Sequence, residues 1–377
     1  MFLKQTFLSV ACIVLLSISS KPQFSGKDSI LRVLEQYRSK TNFEKDSNYI
    51  STLIELAFRY NNNNPDTTIL LSRLAIGLCD RIDFKQGKSD ALKNIGLAYN
   101  VKGDYTNALL FLAKGLETAI EGNYKKGAGR IYHNRGIVYS NLGKYPESLE
   151  NYFQALKMRE ETRDTLGISS STNGIGTIYF MQGRYADAME KYKRALVLSQ
   201  AINYIAGIES GYANIGEINY RQADYSEGIK NLQEALKLTV ITGNIETKAF
   251  IYYILASIYL KQSDYAAATE KFMITKNLAA EVGSPEYECR SRFGLSEVAI
   301  AQNDFSKALM RTKEGLAIVA KIGFNELMRD GNEQLSRIYE KQGNGMQALY
   351  HHRLFKLYAD SINNQETEQR SANLAAD

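Results

Sequence analysis

Along residues 92–116 the apolar positions follow the period of a helix rather than a strand. Leu92, Ile95 and Tyr99 stand at i, i+3 and i+7, and Ala108, Leu112 and Leu116 repeat at every fourth place. Gly103 and Asp104 interrupt the pattern. A glycine ends a helix without steric cost, and an aspartate caps the next one. Two amphipathic helices joined by a tight turn are predicted, the second running from about Tyr105 to Ile120.

The pattern returns at a fixed interval. "NIGLAYNVKGDYTNAL" begins at Asn94, "NRGIVYSNLGKYPESL" at Asn134 and "GIGTIYFMQGRYADAM" at Gly174. Further copies begin at Asn214, Ile254, Gly294 and Gln334, each 40 residues after the last, with no insertion. A degraded copy sits one period upstream, where "NNNNPDTTILL" occupies the turn. Each period closes near Asn123, Asn203, Gly243, Gly283 or Gly323, and Ser284-Pro285 is a good helix start. Helix pairs are expected over 45–82, 87–121, 125–162, 166–202, 205–242, 245–282, 285–322 and 325–367. A capping helix and linker are expected over 21–44, and a polar tail over 368–377. A motif that recurs at every fortieth residue is scaffold, not a single active site.

The spacing Leu92, Ile95-Gly96, Tyr99, Ala108, Leu112, Gly115 resembles the tetratricopeptide repeat. Gly96 and Ala108 match the family's two small positions, where neighbouring helices approach closest. The resemblance covers about residues 45–361. Family repeats are usually about 34 residues long, so each helix here is expected to be longer by half a turn to a turn. Longer repeats of this kind are similar to those of the family's peptide-sensing regulators and cargo adaptors. Ala256, Ser296 and Ser336 replace the first glycine, Asn219 the tyrosine, and Gly345 the counterpart of Tyr105. The resemblance implies an all-α, right-handed superhelical solenoid of about eight helix pairs, the first degenerate. Its concave groove would be lined by the first helix of each pair.

Composition adds less. Of 377 residues, 44% are hydrophobic and 23% charged, and the net charge of +5 is spread without a block of like charges. A solvated surface is expected, and no nucleic-acid partner. The opening "MFLKQTFLSVACIVLLSISS" differs from the rest: one basic residue, Lys4, then an apolar run from Phe7 to Ile18, then Ser17 and Ser19 where a signal peptidase cuts. The run is about 12 residues, short of the roughly 20 a spanning helix requires. Residues 1–20 are therefore expected to be a signal peptide, and the chain exported to a bacterial periplasm or envelope. Membrane contact is expected only through that segment if it is not cleaved. The polar helix that ends the chain looks like the junction in bacterial envelope sensors, where repeats precede a membrane helix and a histidine kinase, cyclase or DNA-binding output. A sensory region of such a protein is the second reading. Cys79 and Cys289 are expected to be buried unpaired thiols. Five helix pairs lie between them, and a disulfide needs Cα atoms within about 7 Å.

Catalytic chemistry is sparse. The three histidines are His133, His351 and His352, with no HExxH motif or Cys/His cluster. The last two are adjacent and point to different faces. All three read as surface histidines. "GIG" at 174–176 lies inside a helix rather than between strand and helix, so it is no phosphate loop. No enzyme, no cofactor and no metal are expected.

The groove carries the functional expectation. Asn94, Asn134 and Asn214 stand two places before the frame glycine, with Asn173 one place earlier in its own copy. An asparagine offers both donor and acceptor, as an extended peptide requires. In the family such asparagines commonly hold a ligand's main chain; the alternative is that they bond neighbouring helices. Lys93, Arg130 and His133 give the early half a basic character. Phe180, Tyr220, Phe250, Tyr253 and Phe293 form an aromatic band, or else inter-repeat core. Glu217, Glu297 and Glu333 follow, with Arg290 and Arg337 among them. The expected partner is a peptide or protein segment with apolar side chains, acidic near the first repeats.

Overall fold

The computed structural model describes residues 26–374, so the expected signal peptide lies outside the described residues. Every regular element among them is a helix: the fold is an all-α solenoid of repeated helix pairs. Helix α1, Gly26–Arg38, and a 3-10 turn, Phe43–Lys45, come first. Eight pairs follow: α2 Ser47–Arg59 with α3 Pro65–Arg81, α4 Lys85–Val101 with α5 Tyr105–Glu121, and α6 Lys125–Asn141 with α7 Tyr145–Glu161. Next come α8 Thr165–Met181 with α9 Tyr185–Ala201, α10 Ile205–Arg221 with α11 Tyr225–Thr242, and α12 Ile245–Lys261 with α13 Tyr265–Val282. The last are α14 Pro285–Ala301 with α15 Phe305–Ile322, and α16 Asn325–Lys341 with α17 Gly345–Leu374. The segment read as a polar tail is helical to Leu374, since nothing after Gly345 in the sequence breaks a helix.

The turns explain the constancy of the period. From Asp83 to Gly343 one residue in every twenty is left-handed, alternately inside a pair and between pairs. Gly103, Gly183 and Gly243 take that conformation freely, whereas Arg163, Ala223 and Ser263 hold it against their own preference. Within four of the eight pairs the next residue is an aspartate whose carboxylate accepts an N–H of the second helix, as Asp104 does from Asn107, Asp264 from Ala267 and Asp304 from Lys307.

The described residues form two compact units, divided after Gly127. In the first, α1 and the 3-10 turn close over α2 and α3. Tyr49 is fully buried, edge-on to Tyr37 and Phe43 at ring distances of 6.2 and 4.9 Å. Asp46 and Asn64 cap α2 and α3, which is how the degraded copy keeps its helices.

In the second unit the frame glycine is set by the residue it faces. A Cβ on Gly176 would stand 2.8 Å from the Tyr192 ring, and one on Gly216 would stand 2.7 Å from Leu232. Where the facing residue is the smaller Thr312, Ser296 fits and hydrogen-bonds to it at 2.6 Å. At Ser296 the departure from glycine is thus matched across the helix pair. Cys79 and Cys289 are free, buried thiols, each pushed up to about 12 by burial. No described helix is long and apolar enough to cross a membrane.

Candidate functional site on the first helices

In the second unit, positions i, i+3 or i+4, and i+7 of the first helices put one face of each beside the same face of the next. On α8 and α10 the Asn214 amide donates to the Asn173 side-chain oxygen at 3.0 Å. On α10, Glu217 lies 3.3 Å from Arg221, whose guanidinium sits 5.8 Å from both the Phe180 and Tyr220 rings. On α12, Tyr253 packs 6.2 Å from Tyr287 of α14, and Phe250 lies 6.5 Å from the same ring. Arg290 completes the group, its Nε donating to Glu286 at 2.8 Å.

The electrostatics couple the first helices across this face. Burial raises the Glu217 carboxyl, and the charges of Arg221 and Arg290 oppose the rise. Glu217 and Arg290 belong to helices two repeats apart, so the charge of one reaches the other across α12. Burial works against the charge on Arg290, yet Tyr253, Glu286 and Tyr287 around it hold its pKa above the usual value. The Tyr287 hydroxyl is pushed up by burial and by Glu286. Burial and Tyr253 do the same to Tyr220. A patch of half-buried rings holding one cation and one carboxyl offers stacking surface and ionisable groups of both kinds together.

The structure brings Tyr220, Tyr253 and Arg290 together, and Asn173 with Asn214. Tyr287 was missed. Its place in the period holds glycine in Gly87, Gly127, Gly167 and Gly207, so the departure itself was the available signal. Phe293 is buried and belongs to the core instead.

The other predicted residues stand apart from this patch. Asn94 is 1% exposed, and its amide donates to the Ile54 carbonyl of the preceding first helix at 3.0 Å. Gln334, in the same place of the last copy, does likewise to Phe293 at 3.1 Å. At these positions the amides lie in the seam between repeats, the second of the two roles weighed for them. Asn134 is partly exposed on α6. Lys93 has its ammonium 3.3 Å from Asp90 and 5.9 Å from the Phe58 ring, so its charge is compensated. His133 is not a surface histidine. Burial and the charge of Arg159 push it down to about 3, so it is neutral at pH 7 and adds no basic character beside Arg130. His351 is likewise partly buried, stacked on Tyr339 and hydrogen-bonded to Asn332 at 2.9 Å.

The tetratricopeptide-repeat family model matches residues 86–161 and 127–201. Residues 86–201 thus match the tetratricopeptide repeat, and the rest of the described chain shares its helix-pair fold. No curated protein sequence matches it. Among solved structures it is similar to the apo form of the quorum sensor NprR from B. thuringiensis, at 16% identity over 88% of this chain and 94% of that one, with a TM-score of 0.64. It is also similar to the Rap conjugation gene regulator of plasmid pLS20, solved in complex with a Phr peptide, at 15% identity over 90% and 96%, with a TM-score of 0.62. A third is a signal-transduction ATPase with a tetratricopeptide-repeat sensor from Pyrococcus horikoshii, at 17% identity over 93% of this chain and 56% of that one, TM-score 0.63. At these identities the likeness is one of fold, shared with tetratricopeptide regulators.

Proposed function

We propose that this chain is a non-catalytic scaffold that holds a peptide or protein segment against the inner face of α8, α10, α12 and α14. The observation that carries the reading is the patch of Tyr220, Tyr253 and Tyr287 with Arg290 and Glu217 set into it. Half-buried rings anchor apolar side chains, and the two ionisable groups orient a ligand with a carboxylate at one end and a donor at the other. Two structural relatives support it: one is described as a quorum sensor, and the other was solved with a peptide bound. Panning a displayed peptide library against the full chain tests the proposal. Enriched sequences should share an aromatic or large aliphatic residue near an acidic one, and enrichment should vanish with Tyr253→Ala or Arg290→Gln. Enrichment that survives both substitutions would place the ligand elsewhere.

The same proposal includes export, supported by the apolar run from Phe7 to Ile18 and the serines at 17 and 19. Expression in a bacterial host, fractionation and N-terminal sequencing check it. A mature chain beginning near residue 20 in the periplasmic fraction is expected, and an intact Met1 in the cytosol would refute it.

A further inference from the structure

One position of the period is occupied by small residues throughout the array except once. Ala119, Ser199, Thr239, Ala279 and Val319 stand near the end of successive second helices, each at most 4% exposed. In α7 the residue there is Arg159, 5% exposed. A guanidinium in a place built for a methyl or a hydroxyl needs room, and the neighbouring sequence supplies it. A Cβ on Gly167 would lie 2.6 Å from the arginine Cδ and Nε, and one on Gly129 3.4 Å from its Cγ.

The arginine so housed has little to neutralise it. One terminal nitrogen, Nη1, donates to the Gly167 carbonyl at 2.6 Å and to the Ser171 hydroxyl at 2.7 Å. The Nε has no partner. Among the described residues no carboxylate forms an ion pair with it. The nearest acidic influence, Asp164, accepts the Gly167 N–H as the cap of α8. A buried cation with no ion pair, and only the nearby Asp164 to offset its charge, is costly to keep.

Above it lies His133, on the inner-face position that Tyr253 and Lys93 hold in other copies. Its Nδ1 is 3.4 Å from both Arg159 Nη1 and Ser171 Oγ, and its ring meets Tyr152 edge-on at 5.3 Å. An arginine only donates, so Nδ1 is the accepting nitrogen and the ring proton sits on Nε2. Both contacts are long for hydrogen bonds, so the imidazole gives up little hydrogen bonding if it moves aside.

We propose that Arg159, with Ser171 and the Nε2–H of His133, forms an anion-receiving site on the inner face at α6–α8 that takes a carboxylate group. An entering carboxylate replaces the weak imidazole contact, pairs with the buried guanidinium and gains the imidazole N–H as a further donor. The inference rests on the inner-face reading only for the carboxylate's source, an acidic side chain of a bound segment; the site itself is tested without a peptide.

The test uses the full chain at pH 7, titrated with sodium acetate against sodium chloride at equal ionic strength. The readouts are the melting temperature and the histidine side-chain NMR signals, with His133 assigned by His133→Gln. Acetate is expected to shift the His133 resonances saturably and to raise the melting temperature by several degrees, with chloride doing neither. Arg159→Met should lose both responses while melting no lower than the wild type without acetate. Identical behaviour in the two salts, or an acetate response that persists in Arg159→Met, overturns the site. If that variant does not fold, the wild-type titration still decides. A second arm compares acetylated, amidated Gly-Glu-Gly with Gly-Gln-Gly. At least tenfold tighter binding of the first assigns the site to acidic side chains. Acetate binding without that preference rejects the peptide source and leaves the aromatic patch to be judged by its own panning result.

Discussion

Gly183 and Ala223 occupy the same turn one repeat apart, both exposed and both left-handed, at φ +74° and +61°. A Cβ added to Gly183 would meet nothing within 4 Å. Exchanging the two residue types therefore changes backbone energetics and little else. The left-handed region costs an L-residue roughly 1–2 kcal/mol. Against this, replacing alanine by glycine returns about 0.4–1 kcal/mol of freedom to the unfolded chain. The difference is about 1 kcal/mol, so Ala223→Gly should stabilise the fold by that amount and Gly183→Ala should destabilise it similarly. Urea unfolding followed by far-ultraviolet circular dichroism measures both. With a slope of about 1–3 kcal/mol per molar, the two midpoints should move in opposite directions by on the order of 0.5 M. The double exchange should return close to the starting midpoint, because turns one repeat apart share no partners. Two shifts of the same sign, or none, would show that the left-handed turn is not what these positions demand.

His133 makes stability depend on pH. An unfolded histidine titrates at about 6.5, the folded one at about 3, so between these values only the unfolded chain binds the proton. Stability should fall by about 2 kcal/mol between pH 7 and pH 5 on this account, and the urea midpoint of His133→Gln should lose that part of the slope. Cys79 and Cys289, with thiols pushed up to about 12, should resist a thiol reagent at pH 8 in the native chain. They should react after denaturation without reductant, and rapid native labelling of both would contradict their burial. Asn94→Ala removes the buried bond to Ile54 but also an amide oxygen that is buried without a partner. The two effects oppose one another, so a loss of under about 1 kcal/mol is expected by calorimetry, and a loss of several would show the seam to depend on that bond.

The helix pairs, the turn positions and the 40-residue step were legible because each copy serves as an alignment for the others. Arg163, Ala223 and Ser263 gave no local sign of a left-handed turn; their place in the period did. The inner face was harder. Tyr220, Tyr253 and Arg290 could be assigned to it from helical spacing, whereas Asn94, on nearly the same spacing, lies in the seam between repeats. One place along a helix turns a side chain by about 100°, and the tilt of neighbouring helices decides which side of the seam it meets. Arg159 was hidden for a different reason. It lies on a second helix, away from the groove positions, and meets the first helices only where Gly129 and Gly167 leave room for its side chain.

What the sequence determined by itself, then, is what depends on short range and repetition: amphipathic period, turn residues, caps and the small positions of close approach. What the tertiary structure decided depends on groups far apart in the chain meeting at fixed distances. Burial neutralises His133 and raises Glu217, the charge of Arg290 reaches Glu217 across an intervening helix, and two glycines on different helices open a slot for Arg159. Those energies come from desolvation and Coulomb interaction, which are set by packing and do not appear in the order of residues.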